Sequence, residues 1–310
     1  MPLQGIGYRF DPGTLHSKTG PPSADLFSNE RGESREWKGE QALPSSVSSL
    51  LSAFRVVGEN AVPDPSNPPC MSSLWLHIPA VPSVGDAVAI SRDEARHAFG
   101  ARRLGAGDVV TLFDGHGLIA QGRLTDERTR SGDVQVEVVS RTLAQPLSPE
   151  VTVAFAVPKG DRLSTLLDGA TQAGVSRLVP IECARSVVDA DKLDRGERWQ
   201  RILAEATKVA KRAWMPELVA GGRLVEVAKA ELARGAAIAV AHTADASPID
   251  AWSRALPTGQ PRTVFIGPEG GFEDGEIADL RALGGAVVTL GPCVMRVELA
   301  AIAAAVLLRA

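Results

Sequence analysis

From Val264 to the end of the chain, short apolar runs alternate with helical patterns, and each run is cut off by glycine and proline. Val264–Ile266 stops at Gly267-Pro268-Glu269-Gly270-Gly271, and Ala286–Leu290 stops at Gly291-Pro292. A helical pattern from Glu273 to Leu283 lies between them, and a last helix, apolar almost all round, begins near Val297. Continuous apolar runs of this length, interleaved with helices, read as buried strands of a parallel sheet. The two glycine-rich turns then belong at the C-terminal ends of neighbouring strands, the edge at which open α/β sheets hold their ligands.

The first turn discriminates among ligands. Its glycines permit positive φ and close approach of backbone to a bound molecule. A phosphate cradle needs several free N–H groups, a helix N-terminus and usually a lysine. Here Pro268 removes a donor, Glu269 repels an anion, and neither G-x-x-x-x-G-K-[ST] nor G-x-G-x-x-G is present. The turn suits a neutral or cationic ligand read by backbone groups; the plain alternative is a strand-to-helix reversal. The second turn runs from Leu290 to Arg296 and sets a lone Arg296, followed by Glu298, at the mouth of the apolar helix.

Upstream, Val151–Val157, Arg177–Ile181 and Ala236–Ala241 have the same strand character, so about five strands interleave with helices between residues 147 and 310. Pro158-Lys159-Gly160-Asp161 leads into a helix through about Ala173, with Gly174 placed as a C′ residue. The spacing also predicts a helix from Gly196 to about Trp214. Trp199, Ile202, Leu203, Ala206, Val209, Ala210 and Ala213 form its buried stripe, and Arg198, Arg201, Glu205, Lys208 and Arg212 share the opposite face. Over residues 184–215, eight bases against five acids give a local +3 (8 − 5) on a chain of net charge −4. A patch holding Arg185, Arg198, Arg201 and Lys208 supplies the local charge that RNA phosphates require, although a solvated helix face has the same composition.

A length of 310 residues allows two domains, and 44% hydrophobic residues are enough for a substantial core. Val109–Phe113, Asp114-Gly115-His116-Gly117 and Leu118–Leu124 predict a β-hairpin, and Val134–Val139 alternates as another half-buried strand. Short strands at this spacing suggest a small barrel over residues 73–146. Before them, Ser91 and Glu94 form a capping box for a short helix that leads to Arg102 and Arg103. Residues 1–72 hold nine of the 21 prolines and little periodicity, so they are expected to be a disordered extension, with Met71 as a candidate translation start. No apolar run is long enough to cross a bilayer. Cys70, Cys183 and Cys293 are scattered without a C-x-x-C, which fits a reducing, cytoplasmic setting without structural zinc.

The motifs together resemble one family. GPEGGF, followed by Leu290-Gly291, Met295-Arg296, Glu298 and Ala300, is similar to the RsmE family of ribosomal RNA methyltransferases in the SPOUT superfamily. Lys159-Gly160-Asp161-Arg162, Ala173-Gly174-Val175, Arg185-Ser186-Val187-Val188 and Glu205-Ala206…Arg212…Pro216 extend the resemblance, which covers roughly residues 74–310. It implies an α/β fold, a SPOUT-type parallel sheet with helices on both faces and a trefoil knot, preceded by a PUA-like RNA-binding β-barrel. It also implies S-adenosylmethionine as cofactor, methylation of N3 of a uridine in 16S small-subunit ribosomal RNA, and a homodimer. Carried over residue by residue, Gly267, Glu269, Gly270, Gly271, Leu290, Gly291, Val294, Met295 and Arg296 would hold the cofactor. Arg296, Glu298 and Arg212 would serve catalysis, and Arg102 and Arg103 would touch RNA. Ala184, Val209, Val297 and Leu299 depart from the family's polar residues, so a catalytically weak RNA-binding relative is the alternative.

Overall fold

The computed structural model describes residues 74–91, 104–129, 133–188, 196–243 and 246–309. The proline-rich N-terminal segment, the capping-box helix and Arg102 and Arg103 lie outside the described residues.

The N-terminal part is a five-stranded sheet of β1 (Trp75–His77), β2 (Ala87–Ile90), β3 (Val109–Phe113), β4 (Leu118–Arg128) and β5 (Val134–Leu143), in the order β1-β3-β4-β5-β2. Leu76, Ile90, Val110, Leu112, Leu124 and Val136 form its core. The predicted hairpin is present: Asp114 Oδ1 accepts hydrogen bonds from the amides of His116 at 2.7 Å and Leu118 at 3.1 Å, closing the β3–β4 turn.

The C-terminal part is an eight-stranded sheet. Its strands are β6 (Val151–Ala156), β7 (Arg177–Glu182), β8 (Glu217–Leu218), β9 (Gly222–Arg223), β10 (Ala237–Ala241), β11 (Ser247–Pro248), β12 (Arg262–Ile266) and β13 (Ala286–Thr289). The order is β11-β13-β10-β12-β6-β7-β8, with β9 also on β7, and every pairing is parallel. Helices α1 (Arg162–Gln172), α2 (Glu197–Val209), α3 (Leu224–Ala233), α4 (Ile249–Ala255), α5 (Asp274–Ala282) and α6 (Val297–Arg309) cover both faces. Alternation along the strands decides which face each residue serves. Val153, Phe155, Val264 and Ile266 pack with Leu163 and Leu167 of α1, Leu203 of α2 and Ala301 and Ala305 of α6. Ala154 and Phe265 pack on the other face with Val227 of α3 and Ile277 and Leu280 of α5. Gly169 lets α6 approach closely, since a Cβ there would lie 2.4 Å from Ile302 Cδ1.

Three expectations need correction. The two glycine-rich turns do not follow neighbouring strands, because β10 lies between β12 and β13. Strand order is set by crossover connections, which local patterning does not encode.

The predicted helix to Trp214 ends at Val209, where the chain reverses through Lys211 at φ +51°. The amides of Lys211 and Arg212 bond back to Lys208 O and Thr207 O, each at 3.1 Å, so residues 210–214 leave the helix axis. Val209 is 67% exposed rather than part of the stripe, and Thr207 takes a buried place.

Arg212 consequently does not share the face of Arg198 and Arg201. It runs to the C-terminal end of α1, donating to Thr171 O at 2.6 Å and Val175 O at 2.8 Å. The reversal also joins the two sheets: Met215 N bonds to Gly115 O, Gly117 N to Ala213 O, and Trp214 Nε1 to Ala144 O. Gly117 has no room for a side chain, since a Cβ would lie 2.5 Å from the Trp214 ring.

Candidate active site

The ends of β10, β12 and β13, with Arg185 from the loop after β7, build the cavity at the C-terminal edge. It measures about 460 Å³ and is bordered by Gly267–Phe272 after β12, His242 and Thr243 after β10, and Thr289–Gly291 and Cys293–Met295 at the end of β13. That volume is in the range of small-molecule sites.

The first wall is a tight turn. Gly271 N bonds to Pro268 O at 2.8 Å, and Gly271 sits at φ +71°, a conformation that glycine adopts without strain. Gly267 lies over Phe272, whose ring would be 3.0 Å from an added Cβ; the buried ring anchors the turn to the core. The second wall is shaped by Thr289, whose Oγ1 donates to Gly291 O at 3.0 Å, and by Gly291 at φ +148°. Leu290, Val294 and Met295 give this side an apolar surface, and Val294 is 86% exposed.

The charged groups on the lining fit a cationic rather than an anionic ligand. Glu269 and Asp274 both border the cavity. The lining contains one arginine, Arg185, and no lysine. Arg185 donates from Nη1 to Gly270 O at 2.7 Å and lies 3.7 Å from Glu273, so this exposed side chain is tied to the cavity wall. Glu269 is paired in turn with Arg162 at 2.8 Å. His242, Thr243, Asp274 and Phe272 are lining residues that patterning did not assign. The end of β10 at His242 was legible, but its place between the two turns was not.

Arg296 and Glu298 stand at the foot of α6. The amide of Ala300 bonds to Arg296 O at 2.8 Å, so Arg296 occupies the helix entry. Its side chain is exposed and makes no hydrogen bond or ion pair among the described residues. Glu298 has its Oε2 buried without a hydrogen-bond partner, in the first turn where the helix dipole favours a carboxylate. Arg296 and Glu298 do not pair with each other.

Arg212 does not border this cavity. Burial pulls its pKa down to about 10, and its guanidinium bonds carbonyls at the C-terminal end of α1. Its role is to cap that helix end.

The basic patch is thinner than its sequence suggests. Arg198 is exposed and stacks 4.8 Å above the Trp199 ring, and Arg201 is exposed nearby. The Lys208 side chain is only 13% exposed and is bonded to Glu205 at 2.7 Å, so it offers phosphate no open charge.

Comparison with known proteins identifies the family. Residues 145–309 match the RNA methyltransferase domain family, and residues 90–137 match an RNA methyltransferase PUA domain. The chain is 32% identical over 241 residues to "Ribosomal RNA small subunit methyltransferase E" of Mycobacterium bovis, covering 74% of this chain and 89% of that protein. It is similar to a Legionella pneumophila methyltransferase structure in complex with the bound cofactor SAM, with 26% identity, a TM-score of 0.64, and 76% and 96% of the two chains covered. It is also similar to the ribosomal RNA small subunit methyltransferase E of Neisseria gonorrhoeae bound to S-adenosyl methionine, with 25% identity, a TM-score of 0.64, and 75% and 95% covered.

Proposed function

The chain belongs to the RsmE family of ribosomal RNA methyltransferases, and from that premise we propose that it methylates N3 of a uridine in 16S small-subunit ribosomal RNA. S-adenosylmethionine, when bound, supplies a methyl group on a cationic sulfur. The cavity fits that cofactor: it has backbone-lined turns for a nucleoside, apolar Leu290, Val294 and Met295, and acidic Glu269 and Asp274 on the same lining. We assign the holding role to Gly267, Glu269, Gly270, Gly271, Leu290, Gly291, Val294 and Met295, with Arg296 at the rim.

The single observation that carries the reading is this cavity together with an exposed Arg296, which lies in the chain between two of its lining residues, Met295 and Val297. Uridine N3–H is a weak acid, in the range of tyrosine and lysine side chains. Methylation at that nitrogen requires loss of its proton and an in-line approach, with the base positioned out of its stack. Arg296 has a guanidinium available to favour the deprotonated base. Glu298 has a buried oxygen that lacks a hydrogen-bond partner, and it is assigned to orient Arg296 or to accept the proton when RNA binds. RNA phosphates are assigned to Arg198 and Arg201, together with Arg102 and Arg103, which lie outside the described residues.

Two copies are proposed to meet through the exposed apolar residues Val294, Leu299 and Val306. Light scattering checks this, with a dimer mass expected. Among the described residues no helix is long and apolar enough to cross a membrane; with a ribosomal substrate, the cytoplasm is the proposed location.

The function is tested by incubating the protein with methyl-labelled S-adenosylmethionine and small subunits from a strain lacking the modification, then mapping the RNA by mass spectrometry. A single N3-methyluridine in 16S RNA is expected. Label at another nucleotide, or none, overturns the assignment.

A further inference from the structure

The glycine-rich turn is held by two arginines that come from different strand ends. Arg162, at the start of α1 after β6, bonds through Nη1 to Glu269 Oε1 at 2.8 Å while its Nε donates to Lys159 O at 3.3 Å. Arg185, after β7, bonds to Gly270 O at 2.7 Å, and its Cδ would lie 3.3 Å from a Cβ added to Gly270. The loop that carries Arg185 is itself fixed, because Ala184 N donates to Glu276 Oε1 at 2.8 Å, the same residue whose Oε2 caps α5 by accepting from Glu273 N. Adjacent residues of the turn are thus clasped from β6 and from β7, the strands that follow β12 in the sheet order. Arg162 does not line the cavity.

A turn with glycines at 267, 270 and 271 has unusual backbone freedom, and ordering it on ligand binding would cost conformational entropy. A turn already fixed avoids that cost at binding. We propose that Arg162 is a positioning residue for the cofactor: through Glu269, with Arg185 as the second clasp, it keeps the Gly267–Gly271 turn in its binding-competent form before the ligand arrives. The same pairing changes the role of Glu269. Its charge is already shared with Arg162, so its first duty is to fix the turn rather than to attract the sulfonium through space.

The proposal rests on the reading of the cavity as the S-adenosylmethionine site, and calorimetric titration separates the two. The full chain is titrated with S-adenosylmethionine as wild type, Arg162→Ala, Arg162→Lys, Glu269→Gln and the Arg162→Ala/Glu269→Gln double variant. Melting is recorded for each. Arg162→Ala is expected to weaken binding about fivefold with an unchanged melting temperature, because the pair is only partly buried and its effect is exerted on the turn. Arg162→Lys is expected to recover most of the loss. In the Glu269→Gln background, Arg162→Ala should cost less than about twofold, the signature of two residues acting through one contact. Turnover of Arg162→Ala at saturating cofactor should match wild type, so the change falls on KM for cofactor and not on kcat. Unchanged affinity in Arg162→Ala, or losses that multiply in the double variant, overturns the positioning role. Failure of the wild type to bind would instead overturn the cofactor assignment itself.

Discussion

Arginines at the two ends of the eight-stranded sheet do different work. At the N-terminal edge they are enclosed by partners. Arg177, with its side chain only 10% exposed, bonds to Glu231 at 2.6 Å and to Glu217 at 3.0 Å, and Thr263 completes Glu231 at 2.9 Å. Arg309 bonds to Gly174 O and Ser176, and Arg262 to Ser253 and Leu308 O. Desolvation, and then the charges of Arg212 and Arg262, pull the Arg309 pKa down to about 10. At the C-terminal edge Arg162 and Arg185 brace a turn, and Arg296 has an exposed side chain without a partner among the described residues. A charged residue type therefore says little about role until burial and partners are known. One edge uses guanidinium groups to satisfy backbone carbonyls and buried carboxylates, and the other leaves one available for chemistry.

The comparison is broken most directly by exchanging the fates of the two edges. Arg296→Ala is expected to lower methylation at least about a hundredfold, the scale of a lost charge-stabilising donor, while urea unfolding stays as in wild type. Turnover within twofold of wild type would remove Arg296 from the mechanism. Glu231→Ala should do the opposite, lowering unfolding free energy by about 3 kcal/mol because it leaves Arg177 buried and only partly paired. Denaturant titration measures it. Arg212→Ala should cost about 2 kcal/mol by uncapping α1, with kcat per folded molecule unchanged. Lost turnover in a fully folded Arg212→Ala protein would return this residue to the active site.

Smaller effects sharpen the picture. Lys211→Gly should stabilise by roughly 0.5–1 kcal/mol, since φ +51° strains a side-chain-bearing residue and suits glycine. Burial, then the nearby Glu276 charge, pushes the Cys183 thiol from 9.0 up to about 12. Its folded pKa is the raised one, so the stability it contributes is complete below about pH 9 and is lost as pH climbs toward 12. Cys183→Ala should flatten the fall of stability over that alkaline range, and an unchanged slope would contradict the burial effect.

The legible and illegible parts of the fold divide along a physical line. Val151–Ala156, Arg177–Glu182 and Arg262–Ile266 announced themselves because strands buried on both faces read as continuous apolar runs. The helix Leu224–Ala233 did not, because the fourth member of its buried stripe is Glu231, a carboxylate acceptable there only because Arg177 and Thr263 meet it from distant strands. For the site, both glycine turns were readable from local backbone chemistry. The wall from β10, the tie of Arg185 to Gly270, the pairing of Lys208 with Glu205 and the withdrawal of Arg212 all depend on contacts distant in sequence or on one reversal at Lys211. Neither charge counts nor periodicity carries that information.

The most direct test of the central claim is a crystal structure of the full chain with S-adenosylmethionine. The cofactor is expected between the Gly267–Gly271 turn and Leu290–Met295, beside His242 and Thr243. A structure with that cavity empty and the cofactor bound elsewhere would contradict it.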